Sequence, residues 1–217
     1  MEIGATEQPS LDADSLEAVT IEALEPRFEL EGVRLDRTEL DGIEAGSGRI
    51  EGSLLDEIRL DGARLRGLRM VDVRGERIAA ANGDWSSGSL SHVEIAGSRL
   101  TGLDLSATRF SEVRFRGCKL DYANFRHATL DDVTFEDCVL VRADFQGAGL
   151  RSVRFDGCGL GGADFTKAEL DRVDLRGSEL ELGGSLLGLR GAIVDSLQLM
   201  DLSHQIAHEL GISVEER

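Results

Sequence analysis

A large apolar side chain falls at every fifth position along most of this chain. The phase begins at Phe28 and Leu30 and runs through Leu35, Leu40, Ile50, Leu55, Leu60, Leu65 and Met70. Val33, Ile43, Ile58, Ala63 and Leu68 fill a companion slot two places before the five-residue position. Between Val113 and Arg172 the pattern becomes one twenty-residue sequence written three times without an insertion: VRFRGCKLDYANFRHATLDD, VTFEDCVLVRADFQGAGLRS and VRFDGCGLGGADFTKAELDR.

A five-residue period fits neither the alternation of a half-buried strand nor the 3.6-residue turn of an amphipathic helix. A short coiling repeat remains. If two side chains in five point inward, each five-residue unit forms one side of a square coil, and four sides use twenty residues. Stacking coils at the strand-pairing distance puts Phe115 over Phe135 over Phe155, and Phe125 over Phe145 over Phe165. The prediction is an all-β rod of seven full turns from Val33 to Arg172 with a partial turn to about Leu180, on the order of 35 Å long.

The triplets Ala123-Asn124-Phe125, Ala143-Asp144-Phe145 and Ala163-Asp164-Phe165 match the pattern A-(D/N)-(L/F)-x-x. The chain thereby resembles the pentapeptide-repeat family. The resemblance implies a right-handed quadrilateral parallel β-helix, with a C-terminal α-helix after it.

The repeat is bounded by two ends of different character. Residues 1–27 form an acidic N-terminal segment. Residues 1 to about 13 are expected to be disordered, and residues 14–25 to form either a short helix capped by Asp14 or Ser15 or an irregular strand over the first coil. Residues 28–180 are the β-helix. In residues 181–217 the phase is lost, and a helix is predicted from Asp195 or Ser196 to Gly211, with Leu199, Leu202, Ile206 and Leu210 as its apolar stripe. Asp201, His204 and His208 fall on its opposite face. The stripe is a candidate homodimer contact, since a solenoid otherwise exposes its last coil.

The weakest turn runs from Val73 to His92, where Gly75, Ala80, Gly83 and Gly88 stand in core slots. Two readings follow. Residues 75–89 project as a loop, with Asn82-Gly83 as its turn and Trp85 as an exposed contact; or the coil continues and Trp85 fills the space that the glycines leave.

Charge changes the picture less than its total suggests. The formal charge is −17, but residues 1–30 hold eight acids against one base and residues 181–217 six against two. Counted by side of the coil, acids and bases stand at nine to eight, five to four, five to four and seven to five through Leu180. A chain with this balance does not neutralise phosphates in bulk, so neither nucleic acid nor an anionic membrane is an expected direct partner. Arginines recurring in columns, such as Arg74, Arg114 and Arg154, are expected to pair with neighbouring acids in weak surface bridges.

One outward column is acidic: Asp84, Asp104, Asn124, Asp144 and Asp164 stand at one-coil intervals. Either it offers carboxylates to a partner or its side chains bond the neighbouring backbone, as Asp and Asn do at turns. Cys118, Cys138 and Cys158 share one inward slot of successive coils, parallel and unsuited to a disulfide, and read as buried core. Their odd number and the absence of any CxxC point to reduced thiols in a cytoplasmic protein and away from zinc. The N-terminus shows neither a basic start nor an apolar run, so no signal peptide or membrane span is expected.

No nucleophile elbow, phosphate loop or paired-carboxylate motif is present at recognisable spacing. His204 and His208 lack a third ligand at a characteristic spacing. The expectation is a non-enzymatic protein with no catalytic, metal or cofactor site. Within the family the resemblance extends to the quinolone-resistance members, which mimic DNA and bind DNA gyrase. It implies a topoisomerase as protein partner, with Asp84, Trp85, Asp104, Asp144 and Asp164 as candidate contacts. The alternative is a structural or regulatory scaffold with an unrelated protein partner.

Overall fold

The computed structural model describes residues 9–19, 21 and 24–213. It is a parallel β-solenoid of about nine turns with a short helical end. The strands β1 (Glu17–Ala18), β2 (Arg27–Glu31), β3 (Val33–Asp36), β4 (Ser47–Asp56), β5 (Arg69–Glu76), β6 (Ser89–Ala96), β7 (Arg109–Arg116), β8 (Thr129–Glu136), β9 (Gly149–Asp156), β10 (Glu169–Asp174) and β11 (Ala192–Ile193) stack in chain order, with β2 pairing β4. The register steps by twenty residues: Phe110 pairs with Leu130 and then Leu150, and Phe115 with Phe135 and then Phe155. Each strand from β5 to β9 spans two sides of the coil. The other two sides meet their neighbours through single bridges, such as Arg59 with Ala79 and Asp84 with Asp104.

The five-residue unit folds this way because its last position turns a corner. Left-handed backbone recurs at residues numbered in 2 or 7, among them Arg37 (φ 48°), Tyr122 (φ 58°) and Arg142 (φ 56°). Each costs a non-glycine residue about 1 kcal/mol, and the ladder bonds on either side hold it there. Leu120 N donates to Val139 O at 2.7 Å and Phe125 N to Asp144 O at 2.7 Å.

Inside, identical side chains stack at the rise of the coil. Ring centroids of Phe115 and Phe135 lie 5.1 Å apart, those of Phe135 and Phe155 4.8 Å, and those of Phe125, Phe145 and Phe165 4.7 and 4.8 Å. The two stacks meet edge to face, Phe145 against Phe155 at 5.8 Å. Such offset and T-shaped pairs add about 0.5–1.5 kcal/mol each beyond area burial. The cysteine slot does more than pack. Ser98, Cys118, Cys138, Cys158 and Ser178 form one inward column in which a hydroxyl or thiol donates to carbonyls of the coil below or its own coil, as Cys138 Sγ does to Phe115 O (3.4 Å) and Ser178 Oγ to Phe155 O (3.1 Å). Hydrogen bonds to Cys118 and Cys158, together with burial, push the Cys138 thiol far above its ordinary range.

Of the two readings of residues 75–89, the continuous coil holds and the projecting loop does not. Ala79 bridges both Arg59 and Arg99, and Asp84 both Arg64 and Asp104, so this coil is continuous with its neighbours. Its glycine slots are filled from elsewhere: a Cβ on Gly75 would sit 2.6 Å from Ile78 Cδ1, and one on Gly83 3.1 Å from Leu103 Cδ1. Trp85 is 1 % exposed in the column that Leu105, Phe125, Phe145 and Phe165 continue, and its indole N–H finds no acceptor among the described residues.

The ends also depart from expectation. Of the two N-terminal alternatives the strand holds. Asp12 caps a single 3-10 turn, Ala13–Ser15, and β1 then pairs in parallel with β3. Val19 and Leu24 pack against the first coil, while residues 20, 22 and 23 of the predicted 14–25 helix lie outside the described residues. Residues 1–8 of the predicted disordered segment do too, but Pro9 is buried against the rod.

At the C-terminus, β11 adds a rung to β10 (Val173 with Ala192), and the single predicted helix is two, α1 (Ser196–Asp201) and α2 (Ser203–Glu209), interrupted at Leu202. Leu202, between them, keeps helical backbone angles and closes the end of the core, 3 % exposed. The cap is locked by Gln198, which is buried: its Nε2 donates to Leu175 O (2.6 Å) and Ser178 O (2.7 Å), and its Oε1 accepts from Asp195 N (2.9 Å). Asp195 in turn accepts from the amides of Leu197 and Gln198. The predicted stripe therefore divides: Leu202 and Ile206 face the chain's own last coil, whereas Leu199 and Leu210 are exposed.

Candidate protein-binding surface

Outward side chains at equivalent positions stack as the core residues do, so each side of the rod is a set of rows about 4.8 Å apart along the axis. In the acidic row, one oxygen of every side chain is engaged by the backbone amide two residues on. Asp84 Oδ1 accepts from Ser86 N (3.0 Å), Asp104 from Ser106 (2.9 Å), Asn124 from Arg126 (3.0 Å), Asp144 from Gln146 (2.9 Å) and Asp164 from Thr166 (2.8 Å). The side chains satisfy the N–H groups where the chain leaves that side of the coil, which is the reason the repeat asks for Asp or Asn there.

The second oxygen points outward and meets a basic or amide side chain at three of these rungs: Arg66 lies 3.4 Å from Asp84 Oδ2, Arg126 Nε 2.6 Å from Asp144 Oδ2, and Gln146 Nε2 2.5 Å from Asp164 Oδ2. Partial burial alone would raise the pKa of Asp84 and Asp164. The hydrogen bonds from Ser86 and Thr166, with Arg66 and Arg126 nearby, outweigh it and hold both carboxyls below their usual range. Asp84 and Asp164 thus favour the ionised form although partly buried.

Elsewhere on the surface acids and bases pair up the stack, as the sequence suggests for the arginine columns. Arg59 joins Glu39 at 2.8 Å and also contacts Asp41; Arg77 joins Asp56 at 2.5 Å; Arg99 joins Asp61 at 2.5 Å; and Arg151 contacts Asp131 one coil away. Exposed pairs of this kind contribute about 0.2–1 kcal/mol each. Arg114 meets Glu136 at 2.9 Å, and the buried Glu94 lies between Arg74 Nε (3.8 Å) and Arg116 Nε (3.6 Å).

Of the sequence-derived candidates, Asp84, Asp104, Asp144 and Asp164 come together as one row. Trp85, facing inward behind Asp84, is not part of any surface. Of the dimer candidates, Leu199 and Leu210 remain exposed at the C-terminal end, joined by residues the stripe omitted: Leu187 (80 % exposed), Leu197 (71 %), Met200 (68 %) and Ile212 (56 %). Their apolar character was visible in the sequence, but their exposure was not, because Leu187 and Ile212 lie outside the two helices and the packing of the end on the last coil decides which side of α1 is covered. His204 and His208 line an open trough with Glu209, whose carboxylate is taken up by the Ser185 hydroxyl and the Leu186 amide. Among the described residues, no cluster of three or more His, Cys, Asp or Glu is placed to hold a metal ion.

Two family models match the chain: a pentapeptide repeat region over residues 107–182, and pentapeptide repeats over residues 89–121. No curated protein sequence matches significantly. Solved structures with a similar trace include a trypsin-treated variant of QnrB1, a plasmid-mediated fluoroquinolone resistance protein. It is 19 % identical over 92 % of this chain and 98 % of that one, with a TM-score of 0.45. HetL, a pentapeptide repeat protein involved in heterocyst differentiation regulation in the cyanobacterium Nostoc sp. strain PCC 7120, is 20 % identical over 78 % of this chain and 90 % of that one, with a TM-score of 0.42. The five-residue register, the four-sided coil it builds and the two family matches identify residues 89–182 as a pentapeptide-repeat region.

Proposed function

We propose that this protein is a non-catalytic, cytoplasmic binding rod that occupies the DNA-binding surface of a bacterial type II topoisomerase such as DNA gyrase. The observation that carries the reading is the straight row Asp84, Asp104, Asp144 and Asp164, held at ladder spacing, in which the Oδ2 atoms of Asp84, Asp144 and Asp164 already receive a basic or amide side chain of the rod. A rigid stack that keeps charges in line offers basic residues a duplex-like edge at little cost in ordering. The enzyme is the one that resemblance to quinolone-resistance members suggests.

The wild type is expected to bind gyrase with an affinity that falls as salt rises, exposed charges being screened over about 8–10 Å at physiological ionic strength. Replacing the four aspartates by Asn should abolish binding and leave melting unchanged, because Asn124 already makes the same amide contact in the native rod, at 3.0 Å. Loss of supercoiling inhibition or of protection from a poison, with an intact melt, is the supporting result. Wild-type protein that neither binds gyrase nor alters its reactions at low salt refutes the reading. A scaffold for another protein partner would then take its place, a reading favoured by the many surface acids already paired with arginines up the stack.

The exposed Leu187, Leu197, Leu199, Met200, Leu210 and Ile212 support self-association through the C-terminal end, which would double the length of the rod. Light scattering should give a dimer for the wild type at micromolar concentration and a monomer for Met200→Glu. A monomeric wild type overturns the pairing.

A further inference from the structure

One side of the rod already carries a passenger. Arg74 Nη2 donates to Pro9 O at 2.7 Å, a contact spanning 65 residues of sequence. Pro9 is buried there although it belongs to neither the coil nor its end. The strand register puts Arg74 in an outward row in which Arg34, Arg74, Arg114 and Arg154 occupy alternate rungs. The rungs between them hold the shorter Leu54, Glu94 and Thr134.

Two rungs are about 9.6 Å. Three residues of an extended polyproline-type chain advance about 9.3 Å, and proline is fixed in that conformation. A peptide lying along the rod axis would therefore bring a backbone carbonyl to each successive arginine with every third residue. The charges agree as well. The segment from Pro9 to Ala18 contains Asp12, Asp14 and Glu17 and no base, while the row holds four arginines against the single acid Glu94, which lies 3.8 Å from Arg74. Leu54, one rung below Arg74, gives the row an apolar step, and Leu11 is half-buried.

We propose that this arginine row is a docking track for an extended acidic peptide, and that the chain's own N-terminal segment around Pro9 is its resident occupant, seated reversibly by Arg74. The segment is then a strap that a partner peptide of the same chemistry displaces. The idea is independent of the topoisomerase reading, since the arginine row and the aspartate row lie on different sides of the coil.

A spin label on Ser10→Cys in the full-length chain tests it directly. Ser10 is exposed, and the native Cys118, Cys138 and Cys158 are each 1 % exposed, so labelling is selective. The label should be immobilised in the otherwise native protein. Arg74→Glu should shift the docked-to-free ratio by about tenfold or more, while Arg74→Lys retains part of the docking. A synthetic peptide of residues 1–16 added in excess should mobilise the label on the unmutated rod, and this arm does not depend on any variant folding. A label that is mobile from the outset, or one that stays immobilised in a well-folded Arg74→Glu protein or under excess peptide, overturns the proposal.

Discussion

Phe145→Asp should unfold the rod at ambient temperature or bring it close to unfolding. Phe145 is fully buried, stacked on Phe125 at 4.7 Å and on Phe165 at 4.8 Å, with its flanks against the edges of Phe135 and Phe155. Removing such a ring costs about 3–5 kcal/mol through lost burial and the cavity left behind. An ionised carboxylate placed there without a partner adds several kcal/mol more, or must protonate to avoid it. The sum is comparable to the whole stability of a typical domain, about 5–15 kcal/mol. Phe145→Leu is the control. Leu105 occupies the same column two coils earlier, fully packed, so that variant should lose far less. Urea melts followed by circular dichroism give both values, and a Phe145→Asp midpoint equal to that of the parent would contradict the stacked core.

Gln198→Leu should release the C-terminal cap while leaving the middle of the rod folded. The substitution keeps much of the volume and even adds apolar surface, so by burial alone it would be mild. It also strips Leu175 O and Ser178 O of their shared donor and Asp195 N of its acceptor. Each buried polar group left unmade costs about 1–3 kcal/mol, which outweighs the gain and gives a loss of roughly 2–5 kcal/mol confined to the end. In a stack where each coil touches only its neighbours, such a loss stays local. Hydrogen exchange should quicken at amides near Leu160 and Leu175 and stay slow near Leu120 and Phe125. Equal protection at both places would mean that Gln198 does not hold the end.

The coil was legible because its signal is repeated. A five-residue period kept in phase from Leu30 to Leu180 has one economical folding, and even the degenerate turn around Gly75 and Gly83 obeyed it. The volume missing at those glycines comes from Ile78, three residues from Gly75 in the same coil, and from Leu103, one coil on from Gly83. The dual nature of the Cys118 column could have been seen: Ser98 and Ser178 stand in the same slot, and serine is a poor choice for a purely apolar site. The acidic row was recognised, and its backbone reading holds, since each side chain accepts from the amide two residues on. The ends were the least legible. Nothing periodic announces that Leu202 turns inward between two helices, or that Pro9 reaches Arg74. Such one-off contacts depend on where the chain runs after the repeat has stopped dictating its path.

The uninterrupted twenty-residue register makes length a counted quantity in this molecule. Excising residues 133–152 would bring Val153 into the place of Val133 and seat Phe155 directly on Phe115, with Phe165 on Phe125, so that every ladder bond and every stacked ring would find an equivalent partner. Excising nineteen residues or twenty-one would shift each later side chain by one position, turning arginines and aspartates into the core. Relatives of this rod can therefore grow or shrink by whole coils at little energetic penalty, about 4.8 Å at a time. Any partner that measures the rod from end to end is reading an integer.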